Sequence, residues 1–168
     1  MLTQDEIIYL KKIPQDQKST IYPFDPKAKE TGLLIVSKIR SALPDVNVLF
    51  MGSTALEIAG QNDIDIYILA DSKDFDKYLP ELTKIYGKPK NVHKTFIEWS
   101  FTQNHYPVEL YLTEPPDSQI KVFEILKADK HLLKQYESLK LTMKGKSQRD
   151  YQRKKYEFYN KLLNNPKE

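Results

Sequence analysis

Asp63-Ile64-Asp65-Ile66-Tyr67-Ile68 alternates carboxylates and isoleucines. Read as a strand, it turns Ile64, Ile66 and Ile68 one way and Asp63, Asp65 and Tyr67 the other. Aspartate is depleted in strands because its short polar side chain packs poorly on a pleated surface, so two on one face require a reason. A divalent cation supplies one. Carboxylates at i and i+2 stand side by side, and Mg²⁺ prefers hard oxygen ligands while keeping waters and substrate phosphates. Upstream, the β-rich run 46–51 leads straight into Gly52-Ser53. Glycine allows a tight turn and close approach to a ligand, and the amides that follow, with the Ser53 hydroxyl, are suited to phosphate oxygens. Downstream, in 107–112, Val108, Leu110 and Leu112 share one face while Glu109 and Tyr111 take the other. If that strand neighbours the Asp63 strand in register, Glu109 joins the two aspartates.

A Gly-Ser turn, an Asp-x-Asp strand and a later lone carboxylate form the set required for metal-dependent transfer of a nucleotidyl group. Attack on a nucleotide α-phosphate builds charge on oxygens that two metal ions stabilise, one at the incoming hydroxyl and one at the leaving pyrophosphate. Asp63 and Asp65 would be the shared ligands, and Glu109 would complete one site and help deprotonate the acceptor. Mg²⁺, or Mn²⁺, is the expected cofactor, and a nucleoside triphosphate and an unknown acceptor are the expected partners.

Plainer readings stand beside these. Asp63 and Asp65 could be solvated residues on an exposed strand face, Ser53 a helix N-cap, and Glu109 a lone acid on a half-exposed strand. Tyr67 and Tyr111 could stack a base or simply cover the sheet. His93, His105 and His131 show no metal-ligand spacing. Lys155 is singled out from the basic C-terminal stretch as a lysine that could reach the triphosphate; the ordinary alternative is a solvated helical face. Acidic residues dilute that stretch and no RNA-binding motif accompanies it, so nucleic acid ranks last among partners.

The elements that must hold these residues are legible from punctuation. A short helix over 3–11 stops at Pro14, and residues 1–20 read as a peripheral lead-in. Asp25 is placed to cap a helix starting at Pro26, with Leu33, Leu34, Val36, Ile39 and Leu43 as its stripe and Pro44 closing it. A short helical piece at 54–58 ends near Gly60. Phe75, Tyr78, Leu79, Leu82 and Ile85 predict a helix over 73–86 that Gly87 ends, with Pro80 an internal position that could restart or kink it. Strands over 95–102 and 107–112 follow, then helices over 118–128, 130–143 and 148–163 with faces that should cover the sheet. The expectation is an α+β chain, one domain over 1–168, with a helical C-terminal part at 118–168.

Composition narrows the rest. With 168 residues, a core can form without metal or disulfide staples. Cysteine is absent, which excludes disulfides, thiolate metal sites and cysteine nucleophiles. The formal net charge of +3 decides little about partners. The first ten residues lack a signal-peptide pattern, and no stretch is apolar enough to span a bilayer, so a cytoplasmic protein without membrane partners is expected.

The stretch from Gly52-Ser53 to Asp65 resembles the nucleotidyltransferase superfamily of DNA polymerase β type. More narrowly, the chain resembles the GrpB family of predicted nucleotidyltransferases. That likeness rests on Tyr22-Pro23-Phe24-Asp25-Pro26, on Gly52-Ser53-Thr54-Ala55, on Gln135-Tyr136-Glu137-Ser138-Leu139-Lys140 and on the spacing of Tyr151, Lys155 and Phe158. It implies a nucleotidyltransferase-type mixed sheet covered by helices, and it names no substrate. The chain departs from the family where Pro-Gly is common after Gly-Ser-Thr: it has Glu57 and one residue fewer. Many members carry a histidine-bearing strand where Glu109 stands, and an arginine expected near Phe123 is missing. The rival reading is a non-catalytic module of the same fold that binds a nucleotide or a phosphorylated metabolite.

Overall fold

Helix ends follow local hydrogen-bonding chemistry. Thr3 opens α1 (Gln4–Lys12) with a reciprocal capping box to Glu6. Asp25 caps α2 (Pro26–Ala42), its carboxylate accepting from the Lys27 amide at 2.9 Å ahead of a proline whose missing N–H costs nothing there. These ends belong to a computed structural model that describes residues 1–164; residues 165–168, the end of the expected helical C-terminal part, lie outside the described residues. The chain forms two compact units, one comprising Phe24–Ile58 and Asn62–Asp117, the other Met1–Pro23, Ala59–Gln61 and the chain from Ser118 onward.

The first unit contains the sheet. After α2 come β1 (Asn47–Met51), the single-turn α3 (Gly52–Ala55), β2 (Ile64–Leu69), α4 (Phe75–Tyr86), β3 (Asn91–Val92), β4 (Phe96–Gln103) and β5 (Tyr106–Thr113). The strand order is β1-β2-β5-β4-β3, with β2 and β5 parallel and every other pair antiparallel. One face is the core: Ile64, Ile66, Ile68, Val108, Leu110, Leu112, Ile97 and Trp99 are buried against Ile35, Val36 and Ile39 of α2 and Phe75 and Leu82 of α4. Each such side chain contributes roughly 1.5–3 kcal/mol relative to exposure. That is why the isoleucine parity of β2 is fixed: a slip of one residue would exchange three isoleucines for Asp65, Tyr67 and Leu69.

The structure departs from the sequence reading in two places here. The two-residue β3 escaped it, because Asn91-Val92 is too short to show alternation. The helical piece expected at 54–58 is instead one turn from Gly52, since Glu57 adopts a φ of 60° and turns the chain out of helix. The helix expected over 73–86 is present as α4 with Pro80 inside it, and its Phe75 and Leu82 are both buried.

The second unit is helical, with α1, α5 (Asp117–Ala128) from Ser118 on, α6 (Lys130–Thr142) and α7 (Gln148–Asn164). Asp129 caps α6, accepting from the His131 and Leu132 amides at 2.9 and 3.0 Å. The lead-in expected to be peripheral is part of this unit. Leu10, Ile13, Ser19 and Ile21 are buried, and Ile21 packs with Ala59, Met143 and Tyr151. The Arg149 guanidinium donates to the Ile13 carbonyl at 2.5 and 3.1 Å, and the Gln148 amide to the Gln17 carbonyl at 2.8 Å. Residues with weak periodicity are thus held by partners more than a hundred positions away, which no local pattern reveals.

Candidate active site

Gly52 marks where β1 passes Asp65. Its φ is +83°, and a Cβ placed on it would lie 2.3 Å from the Asp65 carboxylate oxygen Oδ2. Any side chain there would fill the space against that carboxylate, so the glycine is required twice, by its backbone angle and by the aspartate. Met51 pairs with Asp65 across the antiparallel β1/β2 ladder, and Asp65 pairs with Glu109 across the parallel β2/β5 ladder. The register therefore sets Met51, Asp65 and Glu109 in a row on the face opposite the isoleucine core, with Gly52 against the Asp65 carboxylate and both carboxylates half-buried. This juxtaposition is the one expected if β5 neighbours β2 in register.

Asp63 is positioned differently. The expected alternation begins one residue later, at Ile64, so the pleat does not orient Asp63. What holds it is the buried Thr54, whose hydroxyl donates to the Asp63 carbonyl at 2.6 Å and ties α3 to the entry of β2. Ser53 lies within α3, whose cap position is Met51 and carries no side-chain bond, so the N-cap reading of Ser53 does not apply.

Glu109 sits in a polar network on the same face. The Ser100 hydroxyl, from its register partner on β4, donates to Glu109 Oε2, and the exposed Lys90 ammonium lies 3.3 Å from Ser100 Oγ and 3.7 Å from Glu98. The Asn91 amide donates to Glu98 at 2.5 Å. Burial raises the Glu109 carboxyl above its ordinary range, while the Ser100 bond and Lys90 act against it. Sequence reasoning passed over Glu98, Ser100 and Lys90. Glu98 and Ser100 lie at alternate positions of β4, between the apolar Ile97, Trp99 and Phe101, and that parity was the available signal.

Beside the carboxylates, Tyr67 and Tyr111 are also register partners, their rings stacked at 5.1 Å and 17°, with Phe96 edge-on to Tyr111 at 6.4 Å. Burial pushes the Tyr111 hydroxyl well up, so it stays protonated and can donate. Lys155 belongs to the helical unit, on α7, with its ammonium 5.7 Å from the Tyr159 ring centroid.

Among the described residues, no three histidine, aspartate or glutamate side chains are grouped to hold one metal ion. Asp65 and Glu109 nevertheless suit Mg²⁺, which is usually bound by one or two carboxylates together with substrate phosphates rather than by an all-protein cage. Gly52 keeps the space against Asp65 clear of a side chain.

Solved structures share this fold. The GLD-2/RNP-8 complex superposes with a TM-score of 0.54 at 13% identity, over 98% of this chain and 65% of that one. A structure of Cid1, described by its RNA terminal uridylyl transferase activity, gives 0.51 at 14% identity, over 81% of this chain and 43% of that one. A cytoplasmic RNA terminal U-transferase gives 0.52 at 13%, again over 81% and 43%. The chain thus spans less than half the length of these two transferases. At such identities the likeness establishes the fold alone, an α+β nucleotidyltransferase fold. No curated protein matches the chain. Residues 18–165 match the family described as GrpB protein, and with so much of its length covered the chain belongs to the GrpB family.

Proposed function

We propose that this protein is a metal-dependent nucleotidyltransferase of the cytoplasm, moving a nucleoside monophosphate from a nucleoside triphosphate to a hydroxyl of a small molecule or a protein. The observation that carries the reading is the Asp65–Glu109 pairing across β2/β5, with Gly52 packed against Asp65. Asp65 and Glu109 would hold Mg²⁺ or Mn²⁺, which supplies charge stabilisation at the α-phosphate and activates the hydroxyl; Asp63, expected as a third ligand, is left out because no three acidic side chains are grouped to hold one ion among the described residues. Gly52 and Ser53 would let the polyphosphate approach the backbone. In the transfer, the acceptor oxygen bonds to the α-phosphorus, the bond to the β-phosphate bridge breaks, pyrophosphate leaves, and the hydroxyl proton passes to Glu109. A carboxylate whose proton affinity is raised by burial suits that last role. The RNA ends named for Cid1 are a less fitting acceptor, because the basic C-terminal stretch here is interspersed with Glu137, Asp150 and Glu157.

Asp65→Asn is expected to abolish transfer of labelled nucleotide while shifting thermal unfolding little; equal activity of variant and wild type would refute the assignment. A second reading, a non-catalytic module that binds a nucleotide or phosphorylated metabolite, is favoured by the lack of a three-ligand group among the described residues. Nucleotide affinity unchanged by a metal chelator would select it.

A further inference from the structure

We propose that Ser100, backed by Lys90, is a positioning residue that fixes the Glu109 carboxylate for cation binding through the hydrogen bond its hydroxyl donates to Oε2. The inference rests on the metal-dependent reading and deepens it.

Ser100 and Glu109 are register partners on the antiparallel β4/β5 pair, as Asp65 and Glu109 are on the parallel β2/β5 pair. Glu109 therefore stands between a donor on one side and a carboxylate on the other. A glutamate has three side-chain torsions and, unrestrained on a half-buried strand face, would sample many rotamers; one donor on one oxygen removes most of that freedom. The serine hydroxyl donates a single hydrogen, which it gives to Glu109, and its lone pairs take the Lys90 ammonium at 3.3 Å. Lys90 cannot replace the serine, because it also lies 3.7 Å from Glu98, a second carboxylate on the same face of β4. Without the hydroxyl, Glu98 and Glu109 would compete for that one cation, and Glu109 would lose the donor that sets its orientation.

Groups that hydrogen-bond a metal-ligating carboxylate typically affect metal affinity by about 10–100-fold. The experiment titrates Mn²⁺ into the full chain with a non-hydrolysable nucleoside triphosphate, followed by electron paramagnetic resonance. Ser100→Ala should weaken Mn²⁺ binding about tenfold or more. Ser100→Thr, which keeps the hydroxyl, should bind as wild type, and thermal unfolding of both should match wild type because Ser100 is exposed. Wild-type affinity in Ser100→Ala, with binding lost in Asp65→Asn, overturns the positioning role and leaves the functional reading intact. Wild-type affinity in Asp65→Asn overturns the functional reading, and this inference with it.

Discussion

Glu109 carries a stability cost of known sign. Burial makes the folded carboxyl hold its proton more strongly than the unfolded chain does, so ionisation disfavours folding. The penalty is absent below the ordinary value of 4.5 and is complete once the pH has risen through the raised folded value. Glu109→Gln, which can still accept from Ser100, should therefore raise the thermal midpoint at about pH 7 and leave it unchanged at about pH 3.5. Calorimetry at the two values checks this, and an equal gain at both would show that packing rather than charge is responsible. The importance of Gly52 was legible in part. A glycine at the end of a β-rich run announces a turn, but the contact that excludes a Cβ comes from Asp65, on a different strand.

At the scale of elements, the junction between α3 and β2 depends on one buried hydroxyl. Thr54→Val keeps the shape of the side chain but leaves the Asp63 carbonyl without its 2.6 Å donor. The expected loss is about 1–3 kcal/mol by urea denaturation. A variant as stable as wild type would mean that another donor serves that carbonyl. The strands and long helices were readable because period 2 and period 3.6 are imposed by which side must face the core. The isoleucines of β2 and the alternation of β5 left no second choice. Where no such face exists, reading failed: β3 is exposed and two residues long, and the left-handed turn at Glu57 uses a residue type that gives no warning.

Across the whole molecule, the amino-terminal segment ranks as structural. Leu10 is 3% exposed, and the segment that follows it is hydrogen-bonded to residues near the start of α7. Leu10→Ala should cost about 2–5 kcal/mol, seen as a lower urea midpoint by circular dichroism. A change below about 0.5 kcal/mol, the level of an ordinary surface substitution, would restore the view of this segment as peripheral. The sequence by itself determined which residues lie on which face: the alternation at Ile64–Ile68 and at Val108–Leu112, the Asp25 cap and the Gly52 turn are local, and local sterics and burial suffice to fix them. Tertiary structure alone decided which faces meet. The parallel register that sets Glu109 beside Asp65, the Ser100 donor on the next strand and the capture of residues 10–21 by the distant helices all join positions far apart in the chain, where pairing is selected by the packing of the whole core and leaves no mark in any short window of sequence.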